Sequence, residues 1–388
     1  MELSTTSSHK TSTFVPVAGL SVFALASGYL MSLIPLSLPS FGLELALAPW
    51  LASMFYLGLL LGATGIEPVV AKIGHRLSFI LFLAALLATI LLMIALPQAE
   101  VWMLARLLAG IAVAGVFVVV ESWLLMTDNA KQRAKRLGLY MTSLYGGTAI
   151  GQLGIGQFGT QGLLPYTLIC ILIGLAILPP LLVRKGQPAA MQHQKIAWRE
   201  LRSLSRPAVM GCLVSGLTMG PIYGMLPIYI KNQTGNETQT GLLMAMVILG
   251  GMMVQPVVSF LSTRMSKSLL MALCCLLGAA SVFMLITAND NITLAVGYSL
   301  LGASTFALYP VAITLACDSM SASKIVAATQ VMLLSYSLGS VLGPMLASAF
   351  DQVQFSLLMY LGICLASTCI YMLIKSFRAP GDQQPQAT

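Results

Sequence analysis

Twelve long apolar segments, separated by short polar gaps, constrain the fold of this chain more than any other feature. They cover 14–38, 48–71, 77–97, 101–126, 137–158, 162–183, 207–230, 239–263, 268–287, 292–316, 326–349 and 354–376. A helix crosses the hydrocarbon core of a bilayer with about 20 apolar residues. Only 8% of the residues are charged, too few to cover a water-exposed surface. The sequence therefore predicts an all-α integral membrane protein with twelve transmembrane helices in two six-helix halves.

The basic residues are distributed unevenly between the two sides of the predicted membrane. Of the 20 Lys and Arg residues, 18 fall in the terminal segments and the alternate gaps that share their side. Lys231 is the single basic residue in the other gaps, and Arg106 lies inside the fourth segment. Because positively charged loops remain in the cytoplasm, we expect both termini to be cytoplasmic. The net charge of +8 follows from this pattern and does not indicate nucleic-acid binding.

The longest gap, 184–206, divides the chain into an N-terminal half, 1–183, and a C-terminal half, 207–376, followed by a tail, 377–388. Within the gap, Trp198, Leu201 and Leu204 are spaced three apart with arginines between them. This spacing favours a short interfacial helix on an anionic leaflet. A solvated linker is the alternative.

Glycines and prolines repeat between the two halves at about half of the chain length. The shift is 192 for Gly28–Gly220, Pro35–Pro227, Gly147–Gly339 and Gly151–Gly343, and 188 for Gly62–Gly250 and Pro68–Pro256. Matching gaps lie on the same side of the membrane, so the repeat is parallel, about an axis along the membrane normal. Such halves around a central cavity are typical of alternating-access carriers.

Two motifs carry a family resemblance. Residues 67–76, EPVVAKIGHR, resemble the G-x-x-x-D-R-x-G-R-R signature of the major facilitator superfamily, with Lys72, Gly74 and Arg76 in place. Glu67 and Ala71 depart from that signature. The fourth segment contains Arg106 four residues before a glycine, similar to the intramembrane arginine motif of the family. In the fifth segment Gln152 stands where the antiporter motif has Pro, which weakens an exporter assignment.

Four further stretches, 118–122, 223–227, 308–312 and 334–339, resemble the YcaD-like branch of bacterial facilitator-superfamily proteins. The resemblance implies a multi-pass carrier of the bacterial cell inner membrane. It would move a small organic molecule by secondary active transport and alternating access, with protons as a candidate coupling ion. A multidrug-type efflux carrier of amphipathic compounds is the closest alternative, and a channel or non-transporting sensor is a third.

Two ionisable residues inside the fourth segment are candidates for function, because charges at membrane depth are costly. Arg106 attracts an anionic substrate group or couples to an acid, or it reaches the interface and caps carbonyl groups. Glu121 lies roughly 30 Å from the start of its helix. It is a proton-titrating carboxylate or part of a cytoplasmic gate. The gate is predicted from Glu67, Lys72, Arg76 and Arg264.

Polar and aromatic residues near the predicted midplane are candidates for the substrate pathway. They belong to segments of which most line the cavity in the superfamily: Tyr29, Tyr145, Gln152, Tyr223, Tyr309 and Tyr336. A cavity with many hydroxyl groups and few charges suits a neutral or amphipathic ligand. The alternative is that each group bonds a neighbouring helix.

Enzyme, metal and cofactor sites are not predicted. The chain has no HExxH, GxSxG or P-loop motif. A GxGxxG match at 154–159 ends a membrane helix and follows no strand, so it lacks the dinucleotide-binding context. The seven cysteines lie in apolar segments without metal-ligand spacing. The expected partners are a small-molecule substrate, protons and membrane lipids, and we expect the chain to function as a monomer.

Overall fold

The computed structural model describes residues 13–125, 130–183, 205–317, 322–350 and 356–377, and these are almost entirely helical. The helices are α1 Phe14–Ser37, α2 Ala48–Gly65, α3 Glu67–Ile73, α4 His75–Ala95, α5 Ala99–Leu125, α6 Ala130–Gln152, α7 Gly154–Phe158, α8 Leu164–Leu182, α9 Arg206–Gly224, α10 Leu226–Thr234, α11 Glu237–Leu261, α12 Lys267–Thr287, α13 Asn291–Cys317, α14 Ala322–Ser348 and α15 Ser356–Phe377. The predicted interfacial helix of the linker lies outside these residues.

The helices form a membrane-spanning bundle. Within the described ranges, ten helices are long and apolar enough to cross a bilayer, and α9 with α10 forms an eleventh span bent by 51°. α6 is more polar than these helices, with basic residues in its first turn, and it packs against α1 and α11. It occupies the place of the fifth predicted segment. The all-α membrane fold predicted from the sequence is confirmed.

Three predicted segments are interrupted by helix breaks rather than running straight. The second segment divides between α2 and α3, the fifth between α6 and α7, and the seventh between α9 and α10. Pro68 and Pro227 stand in the first turns of α3 and α10. Proline has no backbone N–H and is tolerated in a first turn but not in a helix interior. Two of the three breaks, those before α3 and α10, therefore follow proline positions.

Antiparallel helices give the bundle two faces. We call the face at which α1 begins and α15 ends the termini face, and the opposite one the distal face. Two hydrophobic cores lie between them, one built from residues between Val15 and Ala176 and the other from residues between Ala208 and Met372. Each half of the chain therefore packs around its own core. Large apolar side chains such as Leu182 and Phe283 are exposed on the outside, where lipid would cover them.

Glycines let the helices of each half touch backbone to backbone, and their contacts repeat. A methyl group on Gly110 would overlap the carbonyl oxygen of Phe55, and one on Gly302 would overlap that of Val247. Both members of the second pair lie 192 residues after those of the first. The pairs Gly28–Thr148 and Gly220–Ser340, and Gly151–Leu25 and Gly343–Leu217, repeat at the same shift. The two halves thus share one packing register.

The register of the α2–α5 and α11–α13 pairs differs from the sequence prediction. Gly58 meets the carbonyl of Leu107, and Gly250 meets that of Ser299. Gly250 is therefore equivalent to Gly58, at a shift of 192, and not to Gly62, at 188. The match of Gly62 with Gly250 was wrong by one helical turn. α2 carries glycines at both 58 and 62, and spacing within the sequence does not distinguish which of them is equivalent to Gly250.

Prolines inside the helices free carbonyl groups, and side chains from neighbouring helices bond to two of them. Pro221 cannot bond to the carbonyl four residues before it, that of Leu217, which instead accepts a hydrogen bond from the Tyr360 hydroxyl at 3.1 Å. Pro310 likewise frees the Phe306 carbonyl, and Gln255 Nε2 lies 3.4 Å from that oxygen. The carbonyl groups that these two prolines free are thus satisfied by polar side chains.

The halves touch each other from the distal face to the middle of the bundle. Near the distal face the Ser53 hydroxyl donates to the carbonyl of Val341 at 2.7 Å. Gly241 packs against the Gln152 backbone, also between halves. A small cluster of Ala149, Ala245 and Ile248 continues this contact inward. At the termini-face ends of α2 and α6, an added methyl on Gly65 or Gly138 would meet no atom within 4 Å.

The glycine contacts predict a sharp position dependence of stability. We expect Gly58→Ala to lower the free energy of unfolding by about 1–3 kcal/mol, because the methyl group forces α2 and α5 apart. Gly65→Ala in the same helix meets open space and serves as the control. Thermal unfolding of both variants in detergent measures the difference, and equal midpoints would contradict the packing described.

Candidate functional site

Five aromatic side chains from both halves meet in the middle of the bundle. We call Tyr145, Tyr223, Phe306, Tyr309 and Tyr336 the central aromatic cluster. The ring centroid of Phe306 lies 5.7 Å from that of Tyr145 and 6.0 Å from that of Tyr223, and those of Tyr309 and Tyr336 are 4.9 Å apart. Tyr145 comes from the first half and the others from the second. Four tyrosines predicted from the sequence are thus brought to the junction between the halves.

Arg106 lies at the edge of this cluster and stacks on a ring of α2. Its guanidinium carbon is 4.3 Å from the ring centroid of Phe55, a cation–π distance. Its buried Nε has no hydrogen-bond partner among the described residues. Tyr56 lies within electrostatic range of Arg106, Tyr223 and Tyr336. Tyr56 therefore lies near both the arginine and the cluster.

Sequence reasoning missed Phe55, Tyr56 and Phe306. Phe306 precedes Tyr309 by three residues, a spacing that places both on one helix face, and this signal was available. Tyr56 is a tyrosine near the middle of the second segment, like those selected elsewhere. Phe55 carried no signal, because its role depends on how α2 packs against α5.

Tyr29 and Gln152 lie apart from the central aromatic cluster, toward the distal face. The Tyr29 hydroxyl donates to the carbonyl of Gly159 at 2.7 Å. The Ser32 hydroxyl donates to Gln152 Oε1 at 2.6 Å, whereas the buried Gln152 Nε2 has no partner within the described part of the chain. These bonds join α1 to α6 and to the turn after α7. The structure thus places both residues as links between helices of the first half.

A polar contact between the halves closes the distal face. Glu237, at the start of α11, accepts hydrogen bonds from the Lys231 ammonium group at 2.6 Å and from the Thr160 hydroxyl at 2.5 Å. Lys231 and Glu237 belong to the second half and Thr160 to the first. We call these three residues the distal clasp. Lys231 could have been singled out as the one basic residue in its set of gaps.

Glu121 lies near the termini-face end of α5 and is bonded to α6 of its own half. The Tyr140 hydroxyl donates to its Oε1 at 2.7 Å. Tyr309 lies within electrostatic range of Glu121, although the Glu121 side chain is exposed. Glu121 is therefore reached from the termini face and lies near the central aromatic cluster.

The four predicted gate residues are spread over the termini face. Arg76 donates to the carbonyls of Pro180 and Leu181 at the end of α8, so it is bound within its own half. The exposed Arg264 stacks on Phe260 with its guanidinium carbon 4.1 Å from the ring centroid. Lys72 is exposed, and Glu67 begins α3. In this state the structure directs Arg76 and Arg264 to their own halves.

Metal ligands are not grouped in the parts of the chain that the structure describes. No cluster of three or more His, Cys, Asp or Glu side chains occurs there. All seven cysteines are free. The chemistry of the site is therefore that of hydroxyl groups, aromatic rings, one arginine and one carboxylate.

Comparison with known proteins identifies the family. The sequence profile of the Major Facilitator Superfamily matches residues 17–344 and 208–387. The chain belongs to the major facilitator superfamily. It is thus a multi-pass membrane transporter, and the resemblance drawn from residues 67–76 and Arg106 is confirmed.

Relatives of this facilitator-superfamily transporter extend over its whole length. An uncharacterized MFS-type transporter of Yersinia enterocolitica is 31% identical over 378 residues, covering 95% of this chain and 96% of the relative. The uncharacterized MFS-type transporter YcaD of Escherichia coli O9:H4 is 30% identical over 382 residues, covering 96% and 97%. The similarity to the YcaD-like branch is confirmed.

Solved transporter structures share the fold of this facilitator-superfamily transporter. A mutant of the nucleoside transporter NupG superposes with a TM-score of 0.75 at 11% identity, covering 94% of this chain and 98% of the other. A POT family transporter in complex with 5-aminolevulinic acid gives a TM-score of 0.74 at 13% identity, covering 95% and 96%. At these identities the likeness extends to the fold alone.

The central aromatic cluster predicts a structural role for Phe306 in joining the halves. We expect Phe306→Ala to lower the free energy of unfolding by about 3 kcal/mol, because the ring is buried against Tyr145 and Tyr223 and leaves a cavity. Phe283→Ala is the matched control, since that ring is 68% exposed. Thermal unfolding in detergent distinguishes them. Similar losses for the two variants would show that the cluster does not hold the halves together.

Proposed function

We propose that this transporter is a secondary carrier that moves a small organic molecule through the central aromatic cluster by alternating access. The observation that supports this proposal is the arrangement of the two halves. Each has its own core, and they touch from the distal face to the middle of the bundle. Two such bodies can rock about the central contact and expose the cluster to either face in turn. The chain acts as a monomer and performs no covalent chemistry.

We place the termini face in the cytoplasm, on the asymmetry of the basic residues, and the protein in the bacterial inner membrane. The halves are 1–183 and 207–376, joined by the linker 184–206 and followed by the cytoplasmic tail 377–388. In this orientation the structure is an inward-facing state. The distal clasp and the Ser53–Val341 hydrogen bond then close the pathway on the outside.

Opening the outside requires the distal clasp to break. Thr160 leaves Glu237 when the halves part, while Lys231 and Glu237 remain in the same half. A carboxylate that accepts from both an ammonium group and a buried hydroxyl forms charge-assisted bonds. Two helix breaks lie beside the clasp, at Leu153 between α6 and α7 and at Met225 between α9 and α10. These breaks give the distal helix segments room to tilt.

We further propose that Glu121 couples the carrier to protons. Its side chain is exposed on the inward-facing side yet close to Tyr309 of the other half. Closing the termini face would bury it between the halves. A buried charged carboxylate is costly, whereas a protonated one needs only hydrogen bonds. Protonation of Glu121 would thus favour closure on the cytoplasmic side.

Uptake and multidrug-type efflux are two directions in which the same transport cycle can run. The aromatic rings and the hydroxyl groups of the central aromatic cluster suit an amphipathic molecule. None of the five residues of the cluster is charged, and the guanidinium group of Arg106, stacked on Phe55, fits a ligand that is not a cation. The direction of net transport is then set by the gradients of the substrate and of protons.

Reciprocal movement of the two faces tests alternating access without a known substrate. Spin labels at Gln161 and Asn232 report the distal face, and labels at Val69 and Thr263 report the termini face, in a cysteine-replaced background. We expect Glu237→Gln to lengthen the distal distance and shorten the termini-face distance, because the clasp loses its charge. Glu100→Gln, at an exposed distal carboxylate outside the clasp, is the control. A change in the distal distance without a change in the termini-face distance would rule out a cycle in which the two halves move as rigid bodies.

The same labels test proton coupling. We expect acidification to shorten the termini-face distance of the wild type, and Glu121→Gln to show the shortened distance at every pH, because an uncharged side chain is buried at lower cost. Glu67→Gln, a second carboxylate of that face, retains the pH response if the response belongs to Glu121. A pH-independent distance in the wild type would remove Glu121 as the coupling group.

A further inference from the structure

Arg106 is a half-buried cation for which the described part of the chain supplies no anion. It lies about two turns inside α5, with its Nε buried and without a hydrogen-bond partner. Elsewhere in the described residues, Lys231 forms an ion pair with Glu237. The groups within electrostatic range of Arg106 are the phenols of Tyr56 and Tyr166. An unpaired charge at membrane depth is costly and marks a functional site.

The neighbours of Arg106 leave it free to bind a ligand. The Tyr166 hydroxyl is within 2.7 Å of the Ser37 hydroxyl and is satisfied there. Phe55 covers one side of the guanidinium plane and offers no acceptor. The Nη groups have no hydrogen-bond partner in the described ranges, and the side chain is partly accessible. Their donors therefore remain available on the side of Tyr56.

We propose that the site binds an organic monoanion, with a carboxylate on Arg106 and an apolar or aromatic body against the central aromatic cluster. This inference rests on the proposed function, in which the cluster is the substrate site. A guanidinium binds a carboxylate through two parallel hydrogen bonds. One unpaired arginine neutralises one charge, which selects a monoanion over a dianion.

The surroundings define the rest of the ligand. Tyr56 lies within electrostatic range of Arg106, Tyr223 and Tyr336, and these rings offer faces for stacking and hydroxyl groups for a polar substituent. Because Arg106 and Tyr56 belong to the first half, and Tyr223 and Tyr336 to the second, a ligand that touches all four connects the halves. Binding would thus favour closure of the open face around the ligand.

Matched acids and amides test the proposal on the full-length protein in detergent. The probes are phenylacetate against phenylacetamide and indole-3-acetate against indole-3-acetamide, which differ in charge and little in shape. We expect each acid to raise the thermal unfolding midpoint and its amide to leave the midpoint unchanged. The dissociation constant of the acids should rise at least tenfold in Arg106→Gln and less in Arg106→Lys. Lys375→Gln removes a cation near Tyr371 at the termini face and should not alter binding.

Two results would overturn the proposal. In the first, the amides raise the thermal unfolding midpoint as much as the acids do. In the second, neither acid raises the midpoint at concentrations up to about 10 mM. If Arg106→Gln does not fold, the comparison of acids with amides on the wild type decides alone. The outcome is separate from that of the carrier cycle. Acids that bind through Arg106 in a protein without reciprocal distance changes would support the anion site and reject the carrier.

Discussion

Backbone contact between helices at glycine positions is the constraint on which the rest of this structure depends. In a bilayer, apolar side chains gain little by leaving lipid for another helix, so close packing has to hold the bundle together. Gly110 against Phe55 and Gly302 against Val247 bring helix pairs together in each half. Each half thereby becomes a compact body with its own core. Only rigid halves can transmit a change at one face to the other.

Polar side chains lie near the prolines and breaks that interrupt the hydrogen bonding of the helices. Pro221 and Pro310 free carbonyl oxygens, and Tyr360 and Gln255 reach them from neighbouring helices. The distal clasp lies beside the breaks after α6 and α9. Arg106 and Glu121 lie on the same helix at different depths, each against an aromatic residue of a neighbouring helix. Close packing and polar contacts meet at the same residues, since Phe55 and Leu217 each take part in a glycine contact and in a contact with a polar or charged side chain.

Local patterns predict the spans and the tyrosines, because hydrophobic length and residue type are properties of single segments. They fail where two helices must be known together. The match of Gly62 with Gly250 fits the spacing in one helix, but the contacts of Gly58 with Leu107 and Gly250 with Ser299 set the true register. Tyr29 resembles the tyrosines of the central aromatic cluster in sequence, yet its hydroxyl bonds to Gly159. Phe55 and Thr160 matter through partners from distant parts of the chain, which no local pattern specifies.

The shared shift of 192 has a further consequence. Position 106 of the first half corresponds to position 298 of the second, where Tyr298 bonds Gln233 instead of presenting a charge. The helices around both positions keep the same backbone contacts. Since those contacts use carbonyl oxygens and glycine α-carbons, the side chains between them are free to change without moving the frame. The protein is thus one helical scaffold present twice with different side chains. A new ligand preference requires only new side chains on the same backbone.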